Sequence, residues 1–284
     1  AGSLFPAGDS GNKLAEGFPP KRSFSVAQLK LSLDIAELRQ PFKKALHTAA
    51  QLGVQAVQFE ARGELDPAEL TQTGIRHIRK MLEDWNLRVS AVRFRPALSY
   101  YNPDRLEARI EATQRALDLA YKLGAGLVVG RIGRIPSPES PEYRLLTEVV
   151  TDLGRYGQRV GSMLATETGS EPGPELARFI QQLPEGSLGV DFNPANLVVE
   201  GHSIEEAVET LGQHVRCVQA TDALRDVAAG TAVAVELGRG SVDYPNLLAG
   251  LDGWGYQGYW TLQPAGGGEP EAELARSARF LRSL

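Results

Sequence analysis

A few polar residues stand out along the chain because each closes a short apolar run. In SLGVDFNPANL the acid Asp191 interrupts a stretch that otherwise reads as buried, and Asn193 follows it at once. In MLATETG the same happens at Glu167. A carboxylate carried into the protein by an apolar strand needs a partner, or its pKa rises until it is neutral. VRFRP supplies Arg93 and Arg95, and VGRIGRIP supplies Arg131 and Arg134. A guanidinium fork suits a phosphate or a carboxylate. These arginines therefore either hold an anionic ligand or neutralise Glu60, Glu167 and Asp191 in a salt-bridged polar pocket.

The elements that must position these groups are visible as a repeating alternation. The apolar runs are LKLSLD, VQAVQFE, RVSAVRF, GLVVGR, MLATET, SLGVDF, VRCVQAT and GYWTLQ, each short and rich in β-branched or aromatic residues. Segments with helical spacing separate them, such as LEARIEATQRALDLAYKLGA, in which Leu106, Ile110, Leu117, Ala120 and Leu123 fall near one face. Gly53 and Gly124 fit helix C-terminal caps, and Asp66–Pro67 and Ser140–Pro141 fit helix starts. Eight strand and helix pairs in about 250 residues predict an α/β fold, a closed parallel (β/α)8 TIM barrel, rather than an open doubly wound sheet. In such a barrel functional groups gather at the C-terminal ends of the strands. Those ends carry Glu60, Arg93, Arg95, Arg131, Arg134, Glu167, Asp191, Asn193, Gln219, Asp222 and Gln263.

Composition narrows the partners. The 284 residues, 42% hydrophobic and 23% charged, suffice for a large core, and a net charge of -5 speaks against nucleic acid. No segment reaches the roughly 20 apolar residues that span a bilayer, so no membrane partner is expected. No G-x-G-x-x-G follows the first strand and no Walker pattern occurs, so no nucleotide cofactor is expected. The single cysteine, Cys217, reads as a buried inert thiol, and His47, His77, His202 and His214 as surface or cap residues. Residues 1–22, rich in Gly, Pro and small polar types, read as a flexible arm, with residues 23–284 as one barrel domain. The N-terminal Ala is compatible with a cytoplasmic protein and with one exported after signal-peptide cleavage. A homo-oligomer is equally compatible with the sequence.

LATETG around Glu167, GVDFNPANL around Asp191, CVQATDA before Asp222 and VELGRGSVDYPNLLAGLDGWGYQGYWTLQP together resemble the xylose-isomerase-like barrels of sugar (phosphate) isomerases and epimerases. The likeness covers about residues 29–284. It implies one divalent ion, held by a Glu of the fifth strand, an Asp of the sixth, a His of the seventh and a Glu of the eighth. Glu167 and Asp191 match the first two positions, but Gln219 and Gln263 stand at the others. Such a set carries two negative charges in place of three, and oxygen-only ligation favours Mn, Mg or Ca over Zn, bound weakly or not at all. The resemblance further implies a small carbohydrate, a sugar or sugar phosphate, turned over through an enediol with Glu167 as the base. With Gln263 unable to take a proton, a one-face aldose–ketose isomerisation is easier to sustain than a two-base epimerisation. The alternative is a non-catalytic, metal-free relative that binds a sugar or an acid.

Overall fold

The computed structural model describes residues 29–226, 231–266 and 268–284. The expected arm over residues 1–22 lies outside them. Each of the eight apolar runs forms a strand: β1 (Leu31–Asp34), β2 (Ala56–Glu60), β3 (Arg88–Arg93), β4 (Leu127–Gly130), β5 (Met163–Glu167), β6 (Gly189–Phe192), β7 (Val215–Ala220) and, after a hairpin, β10 (Trp260–Leu262). They close into one parallel barrel in the order β1-β10-β7-β6-β5-β4-β3-β2. The helices around it are α1 (Phe42–Gln51), α2 (Gln72–Asp84), α3 (Leu106–Lys122), α4 (Pro141–Val160), α5 (Gly173–Gln182), α6 (Pro194–Glu200), α7 (Ile204–Leu211), α8 (Tyr244–Gly253) and α9 (Pro270–Arg282).

The period of each segment explains its place. In α4 the buried residues Leu146, Val149, Val150 and Leu153 recur at helical spacing and turn one stripe toward the sheet. Along the strands alternate residues face opposite ways. Leu31 and Leu33 join the large core between sheet and helices. Ser32, between them, faces inward, where its Oγ lies 2.6 Å from that of Ser90 on β3, across the intervening β2. The barrel interior is thus small and polar, with Gln58, Ser90, Gln219 and Thr261 all buried. Its apolar part is a cluster of Ala91, Leu127, Val129, Ala165 and the free, buried Cys217.

Helix ends follow local chemistry in most places. Ser140 accepts the amide of Tyr143 and Pro141 opens α4, while Gly53 (φ 68°) and Gly124 (φ 77°) take the left-handed conformation just past α1 and α3. Asp66–Pro67 differs from expectation. Asp66 accepts the amide of Ala68 in a turn, and α2 starts later, where Thr71 accepts the amide of Gly74. A cap followed by Pro sets a turn as readily as a helix, and the apolar stripe of α2 begins only at Ile75.

No periodicity in the sequence announces β8 (Asp222–Asp226) and β9 (Thr231–Val235), an antiparallel pair outside the barrel sheet. Most of its side chains are exposed, so burial imprints no strong pattern on it.

Candidate functional site

Glu167 and Asp191 are register partners at the ends of β5 and β6. Parallel pairing of the two strands carries both carboxylates to the C-terminal mouth of the barrel. Glu167 is 3% exposed and receives donors on both oxygens. Arg131 Nε reaches Oε2 at 2.8 Å, Arg95 Nη2 lies 3.3 and 3.4 Å from the two oxygens, and Asn193 Nδ2 donates to Oε1 at 2.9 Å. Burial alone would raise this carboxyl's pKa. The guanidiniums of Arg95 and Arg131 and the donated hydrogen bonds outweigh burial and hold it below the ordinary value.

Asp191 lies in the opposite situation. It is buried, its neighbour Glu167 carries a like charge, and together these raise its pKa. The compensating donor is Gln219, whose Nε2 lies 2.7 Å from Oδ1. The same Nε2 is 3.3 Å from Oε1 of Gln58. Gln263 Nε2 in turn donates to Oε1 of Gln219 at 2.8 Å and lies 3.4 Å from Oδ2 of Asp34. Amides thus join Asp191 to Asp34 across the barrel. Burial raises the pKa of Asp34 to about 6, although Arg93 and Gln58 pull it down.

The other expected residues separate into different uses. Arg93 is buried, and it pairs with Asp34 at 2.5 Å and with Glu37 at 3.1 Å rather than with Glu167. Arg93 therefore braces the start of the chain's barrel, while Arg95, two residues on, turns to Glu167. Arg134 is exposed and sits by Glu171 electrostatically. Glu60 faces Arg62 at 3.5 Å. Asn193 both donates to Glu167 and caps α6, its Oδ1 accepting the amide of Asn196. Asp222 does not open on the mouth. Its two oxygens accept the amides of Ala223, Gly238, Gly240 and Val242, fastening the loop after the hairpin to the end of β7.

Two groups escaped sequence reading. Gln58 sits mid-strand, where its only signal was a polar residue at an inward position of AVQFE. Glu171, 7% exposed, accepts the amide of Ile135 at 2.7 Å and so ties down the loop that carries Arg131 and Arg134. Burial raises its pKa to about 7.

The four positions can be tested for a divalent ion. Such an ion needs several oxygen lone pairs converging on one point. Both oxygens of Glu167 face N–H donors, Asp191 accepts from Gln219, and Gln219 and Gln263 turn N–H groups into the network. Among the described residues no group of three or more His, Cys, Asp or Glu could hold a metal ion. The donor set does not fit the ion. Two clefts lie elsewhere, one of about 570 Å³ beside α7 and α8 and one of about 810 Å³ at the opposite end of the barrel.

The sequence profile described as xylose isomerase-like TIM barrel matches residues 46–284. No curated protein matches the chain. Among solved structures, a xylose isomerase domain protein from Planctomyces limnophilus superposes with a TM-score of 0.76 at 24% identity, over 84% of this chain and 91% of that one. A xylose isomerase-like TIM barrel protein from Mycobacterium smegmatis, in complex with magnesium, gives 0.73 at 18% identity over 92% and 98%. D-allulose 3-epimerase from a Methylomonas species, in complex with D-allulose, gives 0.71 at 19% identity over 90% and 96%. At these identities the structural likeness carries the fold alone.

Proposed function

Given that the chain belongs to the xylose isomerase-like TIM barrel family, we propose that it is a metal-independent member whose mouth binds a small hydroxylated anion, a sugar phosphate or sugar acid. The observation that carries this is the pair of guanidiniums on one buried carboxylate. Arg131 is 56% and Arg95 38% exposed, whereas Glu167 is 3% exposed. Two cations against one anion leave positive charge at the mouth, and the outward N–H groups of Arg131 remain for a ligand's phosphate or carboxylate. Glu60 is the group placed to meet hydroxyls, Asn193 being engaged by Glu167 and the start of α6, and Arg134 extends the cationic side. The guanidiniums thus balance the charge of Glu167 without a metal ion.

The second reading is an aldose–ketose isomerase, supported by Glu167 and Asp191 standing side by side at the strand ends. Glu167 would take the proton from the carbon beside the carbonyl and return it to the neighbouring carbon, the hydroxyl proton passing to the carbonyl oxygen. Against this stands the carboxylate's engagement by Arg95 and Arg131, which makes it a weak base. Thermal-shift titrations in EDTA separate the two. Gluconate or fructose 6-phosphate should raise the melting temperature, and neutral fructose should not. Binding that needs added Mn, or hydrogen exchange from solvent deuterium into fructose 6-phosphate, would overturn the metal-free binding reading in favour of the isomerase.

A further inference from the structure

The end of the barrel away from the mouth has an unusual charge balance. Its cleft of about 810 Å³ is lined by Lys30, Arg79, Arg88 and Arg216, with Glu83 as the one carboxylate. Arg88 opens β3 and Arg216 is the second residue of β7, so the cleft lies where the strands begin. The register explains the opening. β3 pairs with β2 over five residue pairs, from Arg88 to Arg93, but with β4 only at Val92–Val128 and Arg93–Val129. The first residues of β3 therefore run past the start of β4, and the space beside them is floored by apolar residues such as Val89 and Leu127.

The cations here are used differently from those at the mouth. Arg93, Arg95 and Arg131 each face a carboxylate. Among the described residues Lys30, Arg79, Arg88 and Arg216 form no ion pair. Lys30 donates to the carbonyl of Gln257, and Arg216 to those of Gln213 and Val215. Four cations against the single carboxylate of Glu83 leave this concave surface positive, in a chain of net charge -5, and favour an anion there. A cleft of this size takes a small molecule rather than a flat polymer surface.

We infer that this cleft is a second ligand site, independent of the mouth, for a multiply charged phosphate, a polyphosphate or phosphomonoester. Arg79 and Arg88 supply guanidinium forks, Arg216 and Lys30 complete the charge, and the apolar floor seats the uncharged part of an ester.

Calorimetric titration of the full chain with inorganic pyrophosphate tests this, with sulfate as the simpler dianion. Saturable pyrophosphate binding is expected, weakened roughly tenfold or more by Arg79→Ala with Arg88→Ala. These side chains are exposed, and an unchanged melting temperature would verify that the double variant folds. Arg131→Gln removes phosphate binding at the mouth and should leave the cleft's affinity for pyrophosphate unchanged. The inference fails if pyrophosphate does not saturate, or if sulfate binds as well. It fails too if the loss follows Arg131→Gln, or if the remote Arg155→Ala weakens binding equally, since that marks diffuse attraction only.

Discussion

Arg131 Nε lies 2.8 Å from Oε2 of Glu167, joining a guanidinium that is 56% exposed to a carboxylate that is 3% exposed. The two partners depend on the pair unequally. Water can replace Glu167 around Arg131, whereas loss of Arg131 leaves the buried carboxylate only Arg95 and Asn193 as donors.

Arg131→Ala should therefore destabilise the fold by about 1–2 kcal/mol, below the cost of breaking a fully buried pair because the arginine is half in solvent. In a Glu167→Gln background the same change should cost much less. Urea denaturation of the four-member cycle measures the coupling. Additive costs would mean that the contact contributes nothing to stability.

The amides at the two changed family positions give a second expectation. Wild-type protein should show no rise in melting temperature with Mn, because Gln219 and Gln263 turn N–H groups into the site. Gln219→His with Gln263→Glu should restore two stronger ligands and gain a metal-dependent rise. Binding to the native state alone would add about 2.7 kcal/mol at a hundredfold excess over Kd. Tight Mn binding by the wild type, with no gain in the variant, would show that the two amides present their oxygens to the ion instead.

Asp222 provides a third. Its carboxylate accepts four backbone amides, from Ala223, Gly238, Gly240 and Val242. Asp222→Ala leaves these donors without their acceptor and should cost roughly 2–4 kcal/mol. Asp222→Asn, which keeps one acceptor oxygen, should fall between. Equal stability of all three proteins in guanidinium denaturation would rule out the fastening role.

Glu171 gives a pH dependence. Burial raises its pKa to about 7, with Glu175 adding to the rise and the Ile135 amide and Arg134 opposing it. Between the unfolded value of 4.5 and about 7 the folded state keeps a proton that the unfolded chain has released. Its contribution to stability thus falls as pH rises through that window and stays low above it. Glu171→Gln still accepts the Ile135 amide and should remove the fall, gaining on the order of 1–3 kcal/mol over wild type at pH 8 and little near pH 4. A stability difference that is flat with pH would show that Glu171 ionises freely in the fold.

The alternation of short apolar runs with helical stripes was enough to locate the eight barrel strands, since the face under the helices takes apolar residues such as Leu31, Leu33, Val57 and Phe59 in each run. It was also enough to place Glu167 and Asp191 at strand ends, because parallel strands in a closed barrel share one direction. Turn chemistry was less decisive. Asp66–Pro67 and Ser140–Pro141 look alike, yet only the second starts a helix, since the apolar stripe following each decides the outcome.

Which charge meets which was beyond the sequence. Arg93 and Arg95 are two residues apart, and only packing sends one to Asp34 and Glu37 and the other to Glu167. Asp222 follows the seventh strand as a ligand-facing acid would, but the hairpin and loop behind it bring four amides onto its oxygens. The join of Asp191 to Gln219, Gln263 and Asp34 links strands far apart in the chain, and no local spacing encodes it. Periodicity is a property of neighbours in sequence, so the sequence determined the barrel and the polar residues at its mouth. Ion pairs form between neighbours in space, so the tertiary structure alone decided that the two arginines, and not a lone-pair cage for a metal ion, surround Glu167.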